Sequence, residues 1–120
     1  MRRIFFLQAA LLALIDVLHL YFGIHIGFYY TVPWWDVLVH FLGGVWVALI
    51  WSWVLLWHGY RVSVWQCALS GLVVGIGWEI FEKVVGLGGS PFMPYWVDTA
   101  KDLLDDTLGG IAAWLIVQRI

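Results

Sequence analysis

Residues 97–110, VDTAKDLLDDTLGG, form the segment around which the rest of the chain is organised. It holds Asp98, Asp102, Asp105 and Asp106, which are half of the eight acidic residues of the chain. Apolar segments make up most of the remaining sequence. Because carboxylates are costly in or near a lipid bilayer, a cluster of them at the start of an apolar helix indicates a functional site.

The composition is that of an integral membrane protein. Of 120 residues, 63% are hydrophobic and only 12% are charged, and the mean hydropathy is +0.91. Soluble domains carry roughly 25% charged residues. Cys67 is the only cysteine, which excludes an intrachain disulfide. The chain has no basic patch, no phosphate-binding glycine loop and no Cys/His zinc spacing, so we expect no nucleic-acid binding.

Four apolar segments are long enough to cross a bilayer as helices, at about 4–24, 34–57, 64–85 and 99–118. The sequence therefore predicts an all-α integral membrane four-helix bundle, with residues 1–120 as a single transmembrane domain. The first segment has the basic start of a signal peptide, but no small-residue cleavage site ends it, and we expect a retained helix. Asp98 stands where an N-cap of the last helix belongs.

The basic residues predict the orientation of the four spans. Four spans put both termini and the turn at residue 61 on one side of the membrane. That side carries Arg2, Arg3, Arg61 and Arg119, whereas the other side carries only Lys83 and Lys101. The excess predicts that both termini are cytoplasmic.

In this arrangement seven of the eight acidic residues lie toward the extracytoplasmic face. At 100° per residue, the ionisable residues of each helix also lie on or beside a face of small residues, where membrane helices approach closely. We therefore predict a pocket open to that face. Its predicted lining residues are Asp36, His40, Glu79, Glu82, Asp98 and Asp102.

Carboxylates in such a low-dielectric layer must be protonated, be paired with Lys83, Lys101 or a histidine, or hold a cation. Carboxylate and imidazole ligands together suit zinc, manganese or iron, and carboxylates alone suit magnesium or calcium. A divalent cation is the candidate cofactor, with Asp36, His40, Glu79, Glu82, Asp98 and Asp102 as candidate ligands. Glu79 and His40 are the candidate catalytic residues, acting with a metal-bound water or as general acid and base. Asp16 and His19 form a deeper pair at helical spacing.

Each of these residues also has a structural interpretation. Asp36 at a helix start is stabilised by the helix dipole, and Asp98 as an N-cap needs no further role. Glu79 and Glu82 are alternatively neutralised by Lys83 and Lys101. Asp105 and Asp106 are alternatively a solvated helix start, and Asp16 and His19 alternatively hydrogen-bond each other.

Three motifs carry a resemblance to a known family. They are Trp35-Asp36-x3-His40-Phe41-x-Gly43, then Trp78-Glu79-x2-Glu82, then Asp98-Thr99-x2-Asp102 followed by Gly109-Gly110. Together they resemble the YjdF-type family of small bacterial membrane proteins and, more distantly, the VanZ-like proteins linked to glycopeptide resistance. The resemblance implies a multi-spanning protein of a bacterial or archaeal plasma membrane, with these acids and His40 as the shared polar set.

Three functions fit the sequence. The first is a cation-binding pocket that acts on a lipid or envelope precursor. The second is an ion- or proton-coupled transporter subunit, which needs a polar path across the membrane. Few residues could line such a path, and the main candidates are Ser52, Ser63, Gln66 and Ser70. The third is a structural or accessory membrane protein. The expected partners are the lipid bilayer, a lipid-like substrate and further copies of the chain, and the sequence does not decide whether the protein is an enzyme.

Overall fold

The computed structural model describes residues 1–120 as helices and connecting loops, which confirms the all-α part of the predicted fold class. Its elements are α1 (Arg2–Asp16), which continues directly as a π-helix (Val17–His25), then α2 (Phe28–Thr31), α3 (Trp35–Trp57), α4 (Val64–Val85) and α5 (Tyr95–Arg119). The only extended pairing is an isolated bridge between Ser90 and Met93 in the loop before α5.

Three helices are long and apolar enough to cross a membrane. They are Arg2–His25, Trp35–Trp57 and Val64–Val85, with mean hydropathies of 2.0, 1.9 and 1.4. The fourth predicted span falls on α5, which has sufficient length at 25 residues but carries five charged residues in its first half. The large exposed apolar side chains of the bundle, such as Val84 at 79% and Trp65 at 75% exposed, are suited to contact with lipid.

The start of α5 differs from the prediction. The helix begins at Tyr95, directly after Pro94, whose fixed φ and missing N–H suit a helix start. Asp98 is therefore not the N-cap: it lies one turn inside the helix, where its N–H donates to the Pro94 carbonyl at 3.0 Å. The Asp98 side chain makes no capping bond and is free for other contacts.

Helix α5 packs against both α3 and α4, and glycines set how close it comes. A Cβ at Gly44 of α3 or at Gly71 of α4 would overlap the backbone carbonyl oxygen of Asp106. A Cβ at Gly109 would overlap the carbonyl oxygen of Phe41. Gly109 belongs to the small-residue face predicted for the last helix, whereas on α3 the close contact is made by Gly44 and not by Gly43, which meets nothing within 4 Å. These contacts bring the acidic half of α5 against α3 and α4.

The remainder of the interior is apolar. Ile4, Val45, Ala48, Leu49, Cys67 and Ala113 form its core. Ser52, the one fully buried polar residue here, donates to the Ala48 carbonyl at 2.7 Å within its own helix. The bundle therefore has an apolar half around these residues and a polar half around the first turns of α5.

The π-helix lies beside the polar half and is held there by α2 and α3. The indole Nε1 of Trp35 donates to the Leu18 carbonyl oxygen at 3.2 Å, so it satisfies a carbonyl of the π-helix. The ring of Tyr29 lies directly on Gly23, where any Cβ would overlap it. The sequence predicted an ordinary helix for this segment, since the wider turn leaves no mark in the apolar pattern.

Candidate functional site

The four aspartates of α5 are buried at the surface where this helix meets α3 and α4. Asp98, Asp102, Asp105 and Asp106 are 4%, 2%, 8% and 6% exposed. Their spacing of four, seven and eight residues places them on one side of the helix. The glycines of α3 and α4 let that side approach the neighbouring backbones closely enough for burial.

His40 of α3 lies among three of the carboxylates. Its Nε2 is 3.4 Å from Asp36 Oδ1 and 3.4 Å from Asp102 Oδ2, and its Nδ1 is 3.1 Å from Asp106 Oδ1. Both ring nitrogens therefore face acceptors. An imidazolium, which donates from both nitrogens, is the form of histidine that matches these contacts.

Lys101 supplies the second positive charge. Its Nζ lies 2.7 Å from Asp102 Oδ1, 3.0 Å from Asp36 Oδ2 and 3.5 Å from Asp105 Oδ2. Asp36 and Asp102 are thus joined twice, by His40 on one pair of oxygens and by Lys101 on the other. We refer to these groups as the aspartate cluster; its members are Asp36, His40, Asp98, Lys101, Asp102, Asp105 and Asp106.

The aspartate cluster has three more carboxyl groups than basic groups. Two carboxylate oxygens within it, Asp98 Oδ1 and Asp106 Oδ2, are buried and have no hydrogen-bond partner. The nearest positive charge to Asp98 Oδ1 is Lys101 Nζ at 4.0 Å, which is too far for a hydrogen bond. Burial of unpaired carboxylates is strongly unfavourable, and bound protons, water in the adjoining cavity or a bound cation would reduce this cost.

A cavity of about 390 Å³ borders the aspartate cluster. Asp98 and Asp106, the two residues with unpartnered oxygens, both line it. Its walls are otherwise mostly apolar or aromatic, and among them are Val39, Val47, Val74, Tyr29, Trp46 and Trp78. The cavity thus joins an acidic surface to an apolar enclosure.

Asp36, His40 and Asp102 are the residues best placed to hold a metal ion. One ligand atom from each lies within 4.8 Å of those of the other two. A nitrogen with two carboxylate oxygens suits zinc, manganese or iron. His40 must be neutral to ligate a metal, so metal binding here would displace a proton of the imidazolium.

The two glutamates of the predicted site lie apart from the aspartate cluster. Glu79 is 8% exposed, accepts a hydrogen bond from Thr99 Oγ1 at 3.4 Å and has no partner for Oε1. It borders a different groove, between α4 and α5. Glu82 lines the cavity, where its Oε1 accepts from the Trp78 indole at 2.7 Å.

The pairing that the sequence offered as a structural alternative for these glutamates is absent. Lys101 is engaged by aspartates, and the ammonium of Lys83 lies 4.7 Å from the centre of the Trp96 ring. Neither lysine forms an ion pair with Glu79 or Glu82, since both of their ammonium groups are directed elsewhere.

Sequence reasoning missed two members of the site and one contact. It offered Asp105 and Asp106 as a solvated helix start, yet both are buried, and Asp106 contacts His40. The four-residue step from Asp102 to Asp106 was the available signal. It also offered a bond between Asp16 and His19; instead His19 Nδ1 lies 2.6 Å from the Tyr29 hydroxyl at the edge of the cavity. Burial raises the pKa of the Tyr29 phenol, which therefore remains a donor at neutral pH.

Comparison with known proteins identifies a family. A family model described as "Predicted membrane protein (DUF2238)" matches residues 6–120. No curated protein and no solved structure gives a significant match. The family match supports the predicted resemblance to YjdF-type proteins and does not extend to VanZ-like proteins. Since the match covers nearly the whole sequence, the chain belongs to the DUF2238 family of predicted membrane proteins.

Proposed function

We propose that this protein binds a cation at the aspartate cluster, inside a bundle embedded in the membrane. The observation that carries the proposal is the pair of buried, unpartnered carboxylate oxygens, Asp98 Oδ1 and Asp106 Oδ2, in the wall of one cavity. In a cluster that already has too few basic groups, a bound cation would remove the cost of these oxygens.

For a divalent cation, Asp36, His40 and Asp102 are the proposed first ligands, because their ligand atoms are the ones grouped within 4.8 Å. Asp98 and Asp106 line the same cavity, but eight residues separate them, about 12 Å along α5, so at most one of them would add an oxygen to the same ion. Glu82, which lines that cavity, is a proposed outer ligand. The predicted roles of Glu79 as a ligand and catalytic group have weaker support, since Glu79 borders a different groove.

The proposal also covers the setting of the site. We propose one domain over residues 1–120 in which α5 is a fourth span, both termini are cytoplasmic and the cavity opens toward the extracytoplasmic face. The apolar walls of the cavity support a lipid or envelope precursor as the molecule brought to the cation. A reaction there would use a water bound to the cation. The distant VanZ-like relation adds no step to this proposal.

The transporter alternative finds less support. A conducting path would have to continue past the aspartate cluster into the half of the bundle built from Val45, Ala48, Leu49 and Ala113, all of which are buried and apolar. Ser52, the one fully buried polar side chain there, bonds within its own helix. A structural role, in which the aspartates only hold the bundle together, predicts no cation binding and is separated from our proposal by the following experiment.

The test is cation content of the purified protein in detergent, before and after incubation with zinc, manganese, magnesium or calcium. The variants are Asp102→Asn and His40→Ala, with Asp16→Asn as the matched control, because Asp16 is exposed and lies outside the aspartate cluster. We expect stoichiometric binding by the wild type and the control, and its loss in the other two variants. Absence of every cation from the wild type, or equal binding by all four proteins, would contradict the proposal for metals.

A further inference from the structure

We propose that the cavity beside the aspartate cluster accepts an organic ammonium ion on an apolar body, that is, an amphiphilic amine. This inference rests on the proposed cation site and names the chemical class of its ligand.

The size of the cavity is the first argument. A volume of about 390 Å³ is far more than a metal ion and its ligands need. Cavities that bind organic ligands occupy about 300–1,000 Å³. The space beside the cluster is therefore the size of a small organic molecule rather than of an ion.

The second argument is that an alkylammonium already lies in the cluster. Lys101 is a primary ammonium on an aliphatic chain, and three carboxylate oxygens lie within 3.5 Å of its Nζ. Asp36, Asp102 and Asp105 thus already bind one ammonium group. On the cavity side, Asp98 Oδ1 and Asp106 Oδ2 remain without donors. A second ammonium could donate to only one of these oxygens, because eight residues put them about 12 Å apart along α5. Asp106 Oδ2 is the proposed acceptor, since it lies against Gly75 in the cavity wall.

The third argument comes from the walls. Val39, Val47 and Val74 provide apolar surface for a hydrocarbon body. Trp46 and Trp78 also line the cavity, and aromatic faces attract ammonium groups in desolvated sites. A bare divalent cation would gain from neither feature. An amphiphilic amine would use the acidic surface and the apolar walls together.

A glycine pair provides the variants for the test. Gly43 lines the cavity, and a Cβ added there would meet nothing within 4 Å. Gly43→Leu should therefore place its side chain in the cavity while every aspartate is kept. Gly77 also has open space around an added Cβ but does not line the cavity, so Gly77→Leu is the matched control.

The experiment is calorimetric titration of the protein in lipid nanodiscs with hexylammonium chloride, after subtraction of the heat from empty nanodiscs. Uncharged 1-hexanol is titrated in parallel, and Mn²⁺ is titrated separately. We expect hexylammonium to bind the wild type and Gly77→Leu at least tenfold more tightly than it binds Gly43→Leu or Asp106→Asn. We also expect it to bind the wild type at least tenfold more tightly than hexanol does, and Gly43→Leu to retain Mn²⁺ binding.

Equal affinity for hexanol, or full hexylammonium binding by Gly43→Leu, would overturn the inference. A wild type that binds Mn²⁺ but no hexylammonium would also overturn it while leaving the proposed cation site in place. A wild type that binds neither would remove both. Because Gly43→Leu keeps the aspartate cluster whole, a loss of folding in Asp106→Asn, measured by circular dichroism, does not affect the outcome.

Discussion

The Nδ1 of His40 lies 3.1 Å from Asp106 Oδ1, although 66 residues separate the two in the chain. This contact joins the first half of α3 to the acidic half of α5. It also occupies the second ring nitrogen of a histidine whose Nε2 already faces Asp36 and Asp102. His40 is therefore the group through which the carboxylates of two helices are held together.

Replacing His40 should destabilise the bundle strongly. The side chains of His40 and Asp106 are 11% and 9% exposed. Removing the imidazole takes a partner from two buried carboxylates, Asp102 and Asp106, and from the partly exposed Asp36. Loss of one partner from a buried ionic group costs about 3–5 kcal/mol. We expect His40→Ala to unfold at a much lower temperature in a fixed detergent, and His25→Ala, at an exposed position, to match the wild type. Equal unfolding temperatures for all three would show that the His40 contacts do not stabilise the fold.

The contribution of Lys101 to the stability of the bundle should depend on pH. Lys101→Met leaves Asp36, Asp102 and Asp105 without their shared cation, so we expect a large loss of thermal stability at neutral pH. Acidification should recover part of it, because protonation removes the repulsion between the carboxylates. Lys83→Met is the control, since Lys83 lies over Trp96 and contacts no carboxylate. A Lys101→Met protein whose stability has the same pH profile as the wild type would argue against this role.

Alanine substitutions at two neighbouring glycines of α3 should change the stability in opposite directions. A Cβ at Gly44 would overlap the Asp106 carbonyl oxygen, so Gly44→Ala should force the helices apart and cost about 1–3 kcal/mol. A Cβ at Gly43 meets open space, so Gly43→Ala should be neutral or stabilise the helix by up to about 1 kcal/mol. Thermal unfolding in one detergent compares the two. If both variants behaved alike, the close approach of α5 to α3 would be wrong.

The partly buried phenol of Tyr29 should make the stability of the protein depend on pH under alkaline conditions. Burial raises the pKa of its phenol in the folded chain, so the unfolded chain releases this proton at a lower pH than the folded one does. The stability that Tyr29 contributes is therefore complete below its ordinary pKa of about 10 and declines as the pH rises above it. At neutral pH, Tyr29→Phe should lose the hydrogen bond to His19 and with it about 0.5–1.5 kcal/mol of stability. The stability of this variant should also depend less on alkaline pH. Tyr30→Phe is the control, because Tyr30 is 71% exposed. Matching alkaline profiles for wild type and Tyr29→Phe would contradict this argument.

The number of spans can be measured directly. If α5 crosses the membrane, residues near Arg2 and Arg119 lie on the same side, whereas three spans put them on opposite sides. Single cysteines introduced near each end in a Cys67→Ser background, labelled with a membrane-impermeant reagent in intact cells and in lysed cells, distinguish the two. We expect both cysteines to be protected in intact cells and labelled after lysis. Labelling of only one end in intact cells would favour three spans.

Much of this fold follows from the sequence because hydrophobicity alone defines its long helices. The bounds of α3 and α4 lie within one residue of the predicted 34–57 and 64–85. The start of α5 was misplaced because Asp98 is a good N-cap by type, while Pro94 is the residue after which the helix begins. The π-helix could not be predicted, since it depends on Trp35 and Tyr29, which are distant in sequence from the carbonyl and the glycine they contact.

The candidate site was predictable as a region but not as a set of contacts. Helical spacing placed Asp36, His40, Asp98 and Asp102 on faces toward one another, and they do lie together. The same spacing could not decide which way α4 is turned, and Glu79 borders a separate groove. Lys101 was one of several possible counterions. Lys101 pairs with Asp36 rather than with either glutamate because of the way α5 is rotated between its neighbours. This rotation cannot be read from the periodicity of the sequence.

The close fit of α5 between Gly44 and Gly71 has a consequence for biosynthesis. Both glycines and His40 belong to α3 and α4, which leave the ribosome before α5 does. The acidic half of α5 is too polar to partition into lipid alone, since each charged residue costs about 2.5–3.5 kcal/mol at the centre of an inserting helix. Its partners are already in place when it emerges. In the proposed four-span arrangement, the earlier helices therefore assist the entry of α5. A chain with a substitution at Gly44 or His40 should then fail at insertion of its last segment rather than of its first.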